Sequence, residues 1–196
     1  ADVNWVLGTR AVSVDTEHNT VTDSSEVIHQ YSALVIATGL RPKRLNLANG
    51  DLSGRFALRT LDDAIALRAE LKPGKDVVIV GGGFIGCEVA ATATKLGCDV
   101  TVVHNASHPM LRPLGTELAR QMQLRHEAEG VRFLLNRSVV GLVGENRIQE
   151  VQIDDGSTIS CDVLVEAVGS NQNTQWLEMT DIDISDGVLV DSAMRA

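Results

Sequence analysis

The chain has 196 residues and a formal net charge of −9 at pH 7; 44% of its residues are hydrophobic and 3% are aromatic. This acidic balance argues against nucleic acid and anionic membranes as partners, because both attract basic surfaces. With so few aromatic residues, the core must consist of Val, Leu, Ile and Ala, as in a parallel sheet covered by helices. We therefore expect an α/β protein.

The cysteines and the hydropathy bear on the cellular compartment. Cys87, Cys98 and Cys161 show no Cys-x-x-Cys spacing, so neither a disulfide framework nor a metal site is indicated. No apolar stretch approaches the about 20 residues of a membrane helix, and the N-terminus lacks a basic segment followed by an apolar one. We expect a cytoplasmic protein with buried thiols, no metal and no membrane contact.

The N-terminal part is predicted to form short strands and one helix. Alternating apolar positions favour strands at residues 5–7, 10–15, 20–22, 27–30 and 34–36. Arg41-Pro42 interrupts the last of these, and residues 46–54 have the composition of a loop. Thr60 and Asp63 then have the spacing of a capping box, which predicts a helix over residues 64–71 that ends at Pro73-Gly74.

A glycine motif follows at the end of an apolar strand. Residues 77–80 are Val-Val-Ile-Val, and Gly81, Gly83 and Gly86 then have the Gly-x-Gly-x-x-Gly spacing at the start of a helix. A second strand at residues 100–103 completes a βαβ unit, the setting in which this motif binds the diphosphate of a dinucleotide. The alternative is a glycine-rich turn without a ligand.

Each glycine has a separate physical role in this motif. Gly81 permits the tight turn, Gly83 lets the backbone approach a diphosphate, and Gly86 allows close packing of helix on strand. The N–H groups of the first helical turn then face the anion. The nucleotide-binding loop is predicted to comprise Gly81, Gly82, Gly83, Phe84, Ile85 and Gly86.

The second half combines one long helix with short strands. Residues 108–115 are predicted to be irregular and residues 117–129 to form an amphipathic helix capped by Gly130. Apolar alternation then predicts five strands, the middle three joined as a β-meander: residues 132–135, 139–143, 148–153, 158–160 and 163–165. A helical turn at 174–179 and a hairpin around Asp186-Gly187 complete the prediction.

One segment occurs twice. Residues 31–39 align without gaps on residues 161–169, an offset of 130 positions (169 − 39). Each copy follows hairpin-like segments and ends in Ala-x-Gly, whereas the glycine motif occurs once. Two related dinucleotide domains explain this better than a coincidence between two buried strands.

These motifs resemble those of the pyridine nucleotide-disulfide reductase superfamily. The similarity is carried by residues 34–39 with Arg41-Pro42, by residues 58–64 and by residues 81–93, and it is greatest for the ferredoxin and rubredoxin reductases of oxygenase systems. The resemblance implies a three-layer, Rossmann-like NAD(P)H-binding domain with a parallel sheet and a β-meander, flanked by strands of an FAD-binding domain.

The resemblance also implies domain boundaries. Residues 58–178 correspond to the NAD(P)H-binding domain, residues 1–57 to part of the FAD-binding domain and residues 179–196 to the start of the return into it. The family's first glycine-rich loop, which binds the FAD diphosphate, and its Gly-Asp segment have no counterpart. We expect the chain to bind nicotinamide dinucleotide but not to retain FAD, which the full-length protein would carry.

Two side chains of the glycine-motif helix receive roles from the resemblance. Phe84 corresponds to an aromatic residue beside the nicotinamide, and Glu88 to a carboxylate near the flavin and the nicotinamide. Their spacing predicts that both lie on one face of the helix. The structural alternatives are a core position for Phe84 and a solvated one for Glu88.

Five further residues, in three segments, are assigned to cofactor contact. Arg59 corresponds to an FAD-contacting arginine and Thr38-Gly39 to a turn near the flavin, with an exposed position and a plain strand end as the alternatives. Val168-Gly169 ends a strand of the complete domain. Because ligands gather at the carboxyl ends of parallel strands, Val168 and Gly169 are predicted to contact the nucleotide.

The end of the second strand departs from the NAD-binding pattern. An Asp or Glu normally binds the ribose 2′-hydroxyl there, and this chain has His104. A protonated His104, with His108 or Arg112, is able to bind a 2′-phosphate; a neutral ring is able to bond a hydroxyl or to contact nothing. The resemblance favours NADH slightly over NADPH.

Together these features predict the NAD(P)H-binding portion of a flavoprotein oxidoreductase, which passes a hydride to FAD and then electrons to a ferredoxin-like acceptor. Reductases of disulfides, coenzyme A disulfide, peroxide or nitrite share this middle section and remain alternatives. So does a dinucleotide-binding module without catalysis. The sequence leaves the oligomeric state open.

Overall fold

A computed structural model describes residues 3–196. The chain forms two compact units, one made of residues 3–41 with Asn171–Ala196, the other of Pro42–Ser170. Within the described residues, every helix is too short or too polar to cross a membrane.

The first unit contains an antiparallel three-stranded sheet. Its strands β1 (Ala11–Asp15), β2 (Thr20–Asp23) and β3 (Ile28–Gln30) pair in chain order, as the alternation predicts. The strands predicted at residues 5–7 and 34–36 are absent, and Val35 is 85% exposed. A strand requires a neighbour for its N–H and C=O groups, and no described residue pairs with either segment.

The second unit alternates strands and helices in the order that the glycine motif predicts. After β4 (Leu40–Pro42), where the chain enters this unit, its elements in chain order are β5 (Arg55–Phe56), α1 (Leu61–Glu70), β6 (Asp76–Val80), α2 (Phe84–Lys95), β7 (Asp99–His104), α3 (Leu111–Ala128), β8 (Arg132–Leu135), β9 (Val139–Gly144), β10 (Ile148–Ile153), β11 (Thr158–Ser160) and β12 (Val163–Glu166). A strand β13 (Ser170–Gln172), which pairs with β4, and a 3₁₀ helix (Gln175–Leu177) follow.

A five-stranded parallel sheet with the order β5-β12-β6-β7-β8 forms the middle layer of this unit. One face of the sheet, with Val77 and Val165, packs against buried residues of α1 and α2 such as Leu67 and Val89. The other face packs against the β9-β10-β11 meander. The three-layer α/β architecture predicted for this part is therefore confirmed.

The unit is longer at its N-terminal side than the predicted domain 58–178. Its first strand, β5, pairs in parallel with β12, and Leu45, Leu47 and Leu52 join the core beneath the meander. At the other side the unit ends at Ser170. A two-residue strand and a loop that packs through scattered leucines carry no periodic signal in the sequence. The domain boundaries that the resemblance implies stay a prediction.

Two local predictions need correction, and a third is confirmed. Residues 111–114 form a helical turn, closed by the bond from Leu114 N–H to the Met110 carbonyl, and the helix restarts after Gly115, whose φ of 71° interrupts it. The hairpin expected around Asp186-Gly187 is reduced to a single bridge between Ser185 and Gly187. The helical turn predicted at 174–179 is confirmed as a short 3₁₀ helix over Gln175–Leu177.

The internal repeat has a structural counterpart. Each copy follows a three-stranded antiparallel sheet, β1-β2-β3 before residues 31–39 and β9-β10-β11 before residues 161–169. Only the second copy forms a strand, β12, which has β5 and β6 as neighbours.

Candidate functional site

The glycine motif links β6 to α2 in a turn that only glycine fits. Gly81 has a φ of +108°, and a Cβ there would overlap the carbonyl oxygen of Ala167 at the end of β12. A Cβ on Gly86 would overlap the carbonyl oxygen of Gly81, which is the close packing of helix on strand expected for this glycine. These contacts bring the ends of β6 and β12 together at the first turn of α2.

Gly83, by contrast, faces open space. No heavy atom lies within 4 Å of the position that its Cβ would take, and it precedes α2 without a side-chain cap. Among residues 3–196, the N–H groups of Gly83, Phe84 and Ile85 donate to no acceptor. Three free N–H groups at the positive end of a helix dipole fit a diphosphate.

Phe84 and Glu88 lie on one exposed face of α2. Phe84 is 53% exposed and Ile85 beside it is also exposed, so Phe84 is not a core residue. Glu88 lines a cavity of about 560 Å³ between α1 and α2, together with apolar residues that include Leu58 and Val89. An aromatic ring and a carboxylate are therefore available beside the loop for a ligand that lies along this face.

His104, at the end of β7, contacts the loop directly. Its Nδ1 accepts a hydrogen bond from the N–H of Gly82 at 3.1 Å, and burial lowers the pKa of the imidazole. The Gly82 carbonyl accepts from Met110 N–H at 2.7 Å. Arg112, two residues further on, is exposed on the first turn of α3. The ring is held in the neutral form, which is the second of the two states that the sequence left open.

Val168 and Gly169 follow β12 at the carboxyl edge of the sheet. The N–H of Ala167 donates to the Val80 carbonyl at 2.8 Å, and the Gly169 carbonyl accepts from Lys43 N–H at 2.9 Å. The structure therefore places this segment beside Gly81, where strand order reverses between β6 and β12. Such switch points are where ligands bind in open α/β sheets.

The remaining predicted residues make local contacts within their own units. Thr38 and Gly39 belong to the first unit, where Thr38 Oγ1 donates to the Asn173 carbonyl at 2.7 Å and Asn173 N–H to the Gly39 carbonyl at 3.1 Å. Arg59 is exposed, and its N–H donates to Asp63 Oδ2 at 3.0 Å in the cap of α1. Contact of these residues with FAD stays a prediction.

A buried ion cluster next to the loop was not predicted. Glu166, fully buried at the end of β12, accepts from Nε of Arg55 at 2.9 Å and pairs with Nη1 of Arg44 at 3.2 Å. Arg55 also donates to the carbonyl of Leu45 at 3.0 Å. Glu166, directly after the apolar run Val163-Leu164-Val165, was the signal in the sequence that could have indicated this cluster, because a buried charge requires a partner.

A parallel sheet with a glycine loop at its switch point and free N–H groups at a helix start defines a Rossmann-type dinucleotide-binding domain. Residues 1–196 match the family described as pyridine nucleotide-disulphide oxidoreductase. The chain belongs to this family.

Relatives in this family have names that indicate electron transfer. The chain is 35% identical over 192 residues to the biphenyl dioxygenase system ferredoxin–NAD(+) reductase component of Paraburkholderia xenovorans (strain LB400), which covers 98% of the chain and 47% of the relative. It is 34% identical over 195 residues to the rubredoxin–NAD(+) reductase of Pseudomonas putida, covering 99% of the chain and 51% of that protein.

A solved structure shows the same fold. The ferredoxin reductase for the CYP199A2 system from Rhodopseudomonas palustris superimposes with a TM-score of 0.83 at 35% sequence identity, over 87% of this chain and 42% of that one. The chain thus spans about half the length of the relatives that it matches.

Proposed function

We propose that this chain is the NAD(P)H-binding portion of a flavoprotein reductase that passes a hydride to FAD and then electrons to a ferredoxin-like acceptor. The observation that carries the proposal is the open loop at Gly83, where three N–H groups lack an acceptor among the described residues. Family membership and the printed names of the ferredoxin and rubredoxin reductases support it.

The residues of the loop hold and orient the nucleotide. Gly83, Phe84 and Ile85 bind the diphosphate through their N–H groups, and the α2 dipole adds attraction of about 0.3–1 kcal/mol. Phe84, Glu88, Val168 and Gly169 form the nicotinamide end, with the Phe84 ring beside the nicotinamide. The nicotinamide and the flavin supply the hydride chemistry, while the protein positions the rings and tunes the field around them.

The flavin side of the site belongs to the FAD-binding domain, to parts of which residues 1–57 and 179–196 correspond according to the resemblance. Thr38, Gly39 and Arg59 contact FAD in the full-length protein, according to the resemblance. We propose a cytoplasmic location, because Cys87, Cys98 and Cys161 are free thiols, as is typical of proteins in a reducing compartment.

Calorimetric titration of the chain with NADH tests the proposal. We expect saturable binding that weakens about tenfold or more in Gly83→Asp, because a carboxylate would repel the diphosphate. Val35→Asp, at an 85% exposed position of the first unit, adds the same charge and should leave the Kd unchanged. Absence of NADH and NADPH binding to the wild-type chain would refute the proposal.

A second candidate is a dinucleotide-binding module without catalysis as isolated, which is favoured by the chain's spanning about half of its relatives. With added FAD and NADH or NADPH, the isolated chain should then reduce ferricyanide only at the rate of free flavin. Ferricyanide reduction at an enzymatic rate would exclude the interpretation of the chain as a module without catalysis. A yellow chain with a flavin spectrum after purification would contradict our expectation that it does not retain FAD.

A further inference from the structure

His104 takes the place of the acid that hydrogen-bonds the ribose 2′-hydroxyl of NAD, but its ring is already hydrogen-bonded within the protein. The N–H of Gly82 donates to Nδ1 at 3.1 Å, so the proton of the neutral ring is on Nε2. The backbone carbonyl of His108 also faces the ring. His104 therefore lacks a free acceptor for a ribose 2′-hydroxyl.

The ring of His104 also packs closely against the glycine loop. The position of a Cβ on Gly82 lies 3.0 Å from His104 Cγ and 3.2 Å from Pro109 Cβ, so the ring and Pro109 enclose this glycine. The backbone of His104 is fixed as well, since its carbonyl accepts from Arg137 N–H at 3.1 Å. His104 therefore contacts the loop through both its ring packing and its hydrogen bond to Gly82.

The charges around His104 are close to balanced. The guanidinium of Arg137 pairs with Asp155 at 2.9 Å and lies 3.9 Å from Asp154. His108 bonds through Nδ1 to Gln123 Oε1 at 2.8 Å. Arg112 is exposed. The carboxylates of Asp154 and Asp155 are thus paired with Arg137, and among the described contacts of the His104 ring there is no carboxylate that would repel a 2′-phosphate and no cation that would select it.

We propose that the nucleotide site binds NADH and NADPH with nearly equal affinity. The neutral, internally bonded His104 is the reason why the site does not discriminate between the two nucleotides. The inference rests on the proposed function, because it concerns the ribose end of the same nucleotide. A family member with an acid at this strand end would reject the 2′-phosphate, whereas this chain tolerates it.

Parallel titrations with NADH and NADPH test the inference through binding alone. The ratio of the two Kd values should lie within about threefold for the wild-type chain. In His104→Glu, the Kd for NADPH should rise about tenfold or more relative to that for NADH, because a carboxylate next to the 2′-phosphate is repulsive. His18→Glu, which makes the same change at an exposed position of the first unit, should leave the ratio unchanged.

The outcomes separate the two proposals. Failure of both nucleotides to bind would refute the proposed function. Binding of both with a wild-type preference beyond about threefold in either direction would leave the function intact and overturn the inference. The ratio of the two Kd values in the wild-type chain tests the inference even if His104→Glu does not fold. A folded His104→Glu chain with an unchanged ratio would equally overturn the role given to His104.

Discussion

Arg55 and Glu166, 111 positions apart in the sequence, form a buried ion pair in which Arg55 Nε donates to Glu166 Oε1 at 2.9 Å. The pair joins the first strand of the parallel sheet to the strand beside it and draws the loop through Leu45 onto the sheet. Because β12 leads directly into the segment that contacts Gly81, this buried charge cluster helps to hold the end of β12 next to the nucleotide loop.

Removal of one partner of the pair should be costly. We expect Glu166→Leu to lower the free energy of unfolding by about 3–5 kcal/mol, because the buried guanidinium of Arg55 is left without its counter-charge. Arg44, which bonds the same carboxylate but is 51% exposed, is the matched control, and Arg44→Met should cost less than about 1 kcal/mol. Urea denaturation measures both. Equal effects of the two substitutions would contradict the buried-pair explanation.

Substitution by alanine should have a large effect on stability at one glycine of the motif and almost none at another. Gly86→Ala should destabilise the fold by about 1–3 kcal/mol or more, because the new methyl group overlaps the Gly81 carbonyl. Gly83→Ala meets open space and should change stability by only about 0.5 kcal/mol or less. Thermal unfolding of the two variants side by side checks this, and a larger loss in Gly83→Ala would contradict the described geometry.

The cap of α1 should make a measurable contribution. Thr60 Oγ1 accepts from Asp63 N–H at 3.1 Å, while Asp63 Oδ2 accepts from Thr60 N–H at 2.8 Å. Thr60→Ala should therefore lower the free energy of unfolding by about 1 kcal/mol, as for other N-caps. Thr60→Ser keeps the hydroxyl acceptor and should retain most of the stability. A loss in Thr60→Ser as large as in Thr60→Ala would argue against the capping role.

Asp155 in the β10–β11 turn should titrate unusually low. The hydroxyl of Ser157, at 2.6 Å from Oδ1, is the main cause that lowers the pKa of Asp155 to about 2. Because this pKa is below the unfolded value of 3.8, the stabilisation is fully present above pH 3.8 and is lost as the pH falls toward 2. In a carboxyl NMR titration, Ser157→Ala should raise the pKa of Asp155. An unchanged pKa would show that Arg137 and the backbone suffice.

His104 should be neutral at pH 7 with the proton on Nε2. Burial lowers its pKa from 6.5, so the unfolded chain takes up a proton at this residue more readily than the folded one. Its stabilising contribution is therefore complete above pH 6.5 and declines as the pH falls. Nitrogen-detected NMR of the ring distinguishes the tautomers. Protons on both nitrogens at pH 7 would contradict the bond from Gly82.

Much of the second unit could be predicted from the sequence, because its signals are local. The apolar run before Gly81, the glycine spacing, the capping pair Thr60 and Asp63 and the alternation of the meander each act within a few residues. They determined the βαβ unit, the helix α1, the three strands after β8 and the position of the nucleotide loop. The glycine spacing indicated a dinucleotide at that loop, and the family resemblance identified it as NAD(P)H.

The tertiary structure alone decided the features that depend on distant partners. Residues 34–36 carry the same apolar pattern as β12, yet only β12 has strands on both sides, so only β12 is a strand. The ring of His104 accepts a hydrogen bond from Gly82, 22 positions away, and Glu166 accepts one from Arg55. Spacing within the sequence cannot reveal such contacts, because the hydrogen bonds and counter-charges that settle a side chain's state come from elements that meet only in the folded chain.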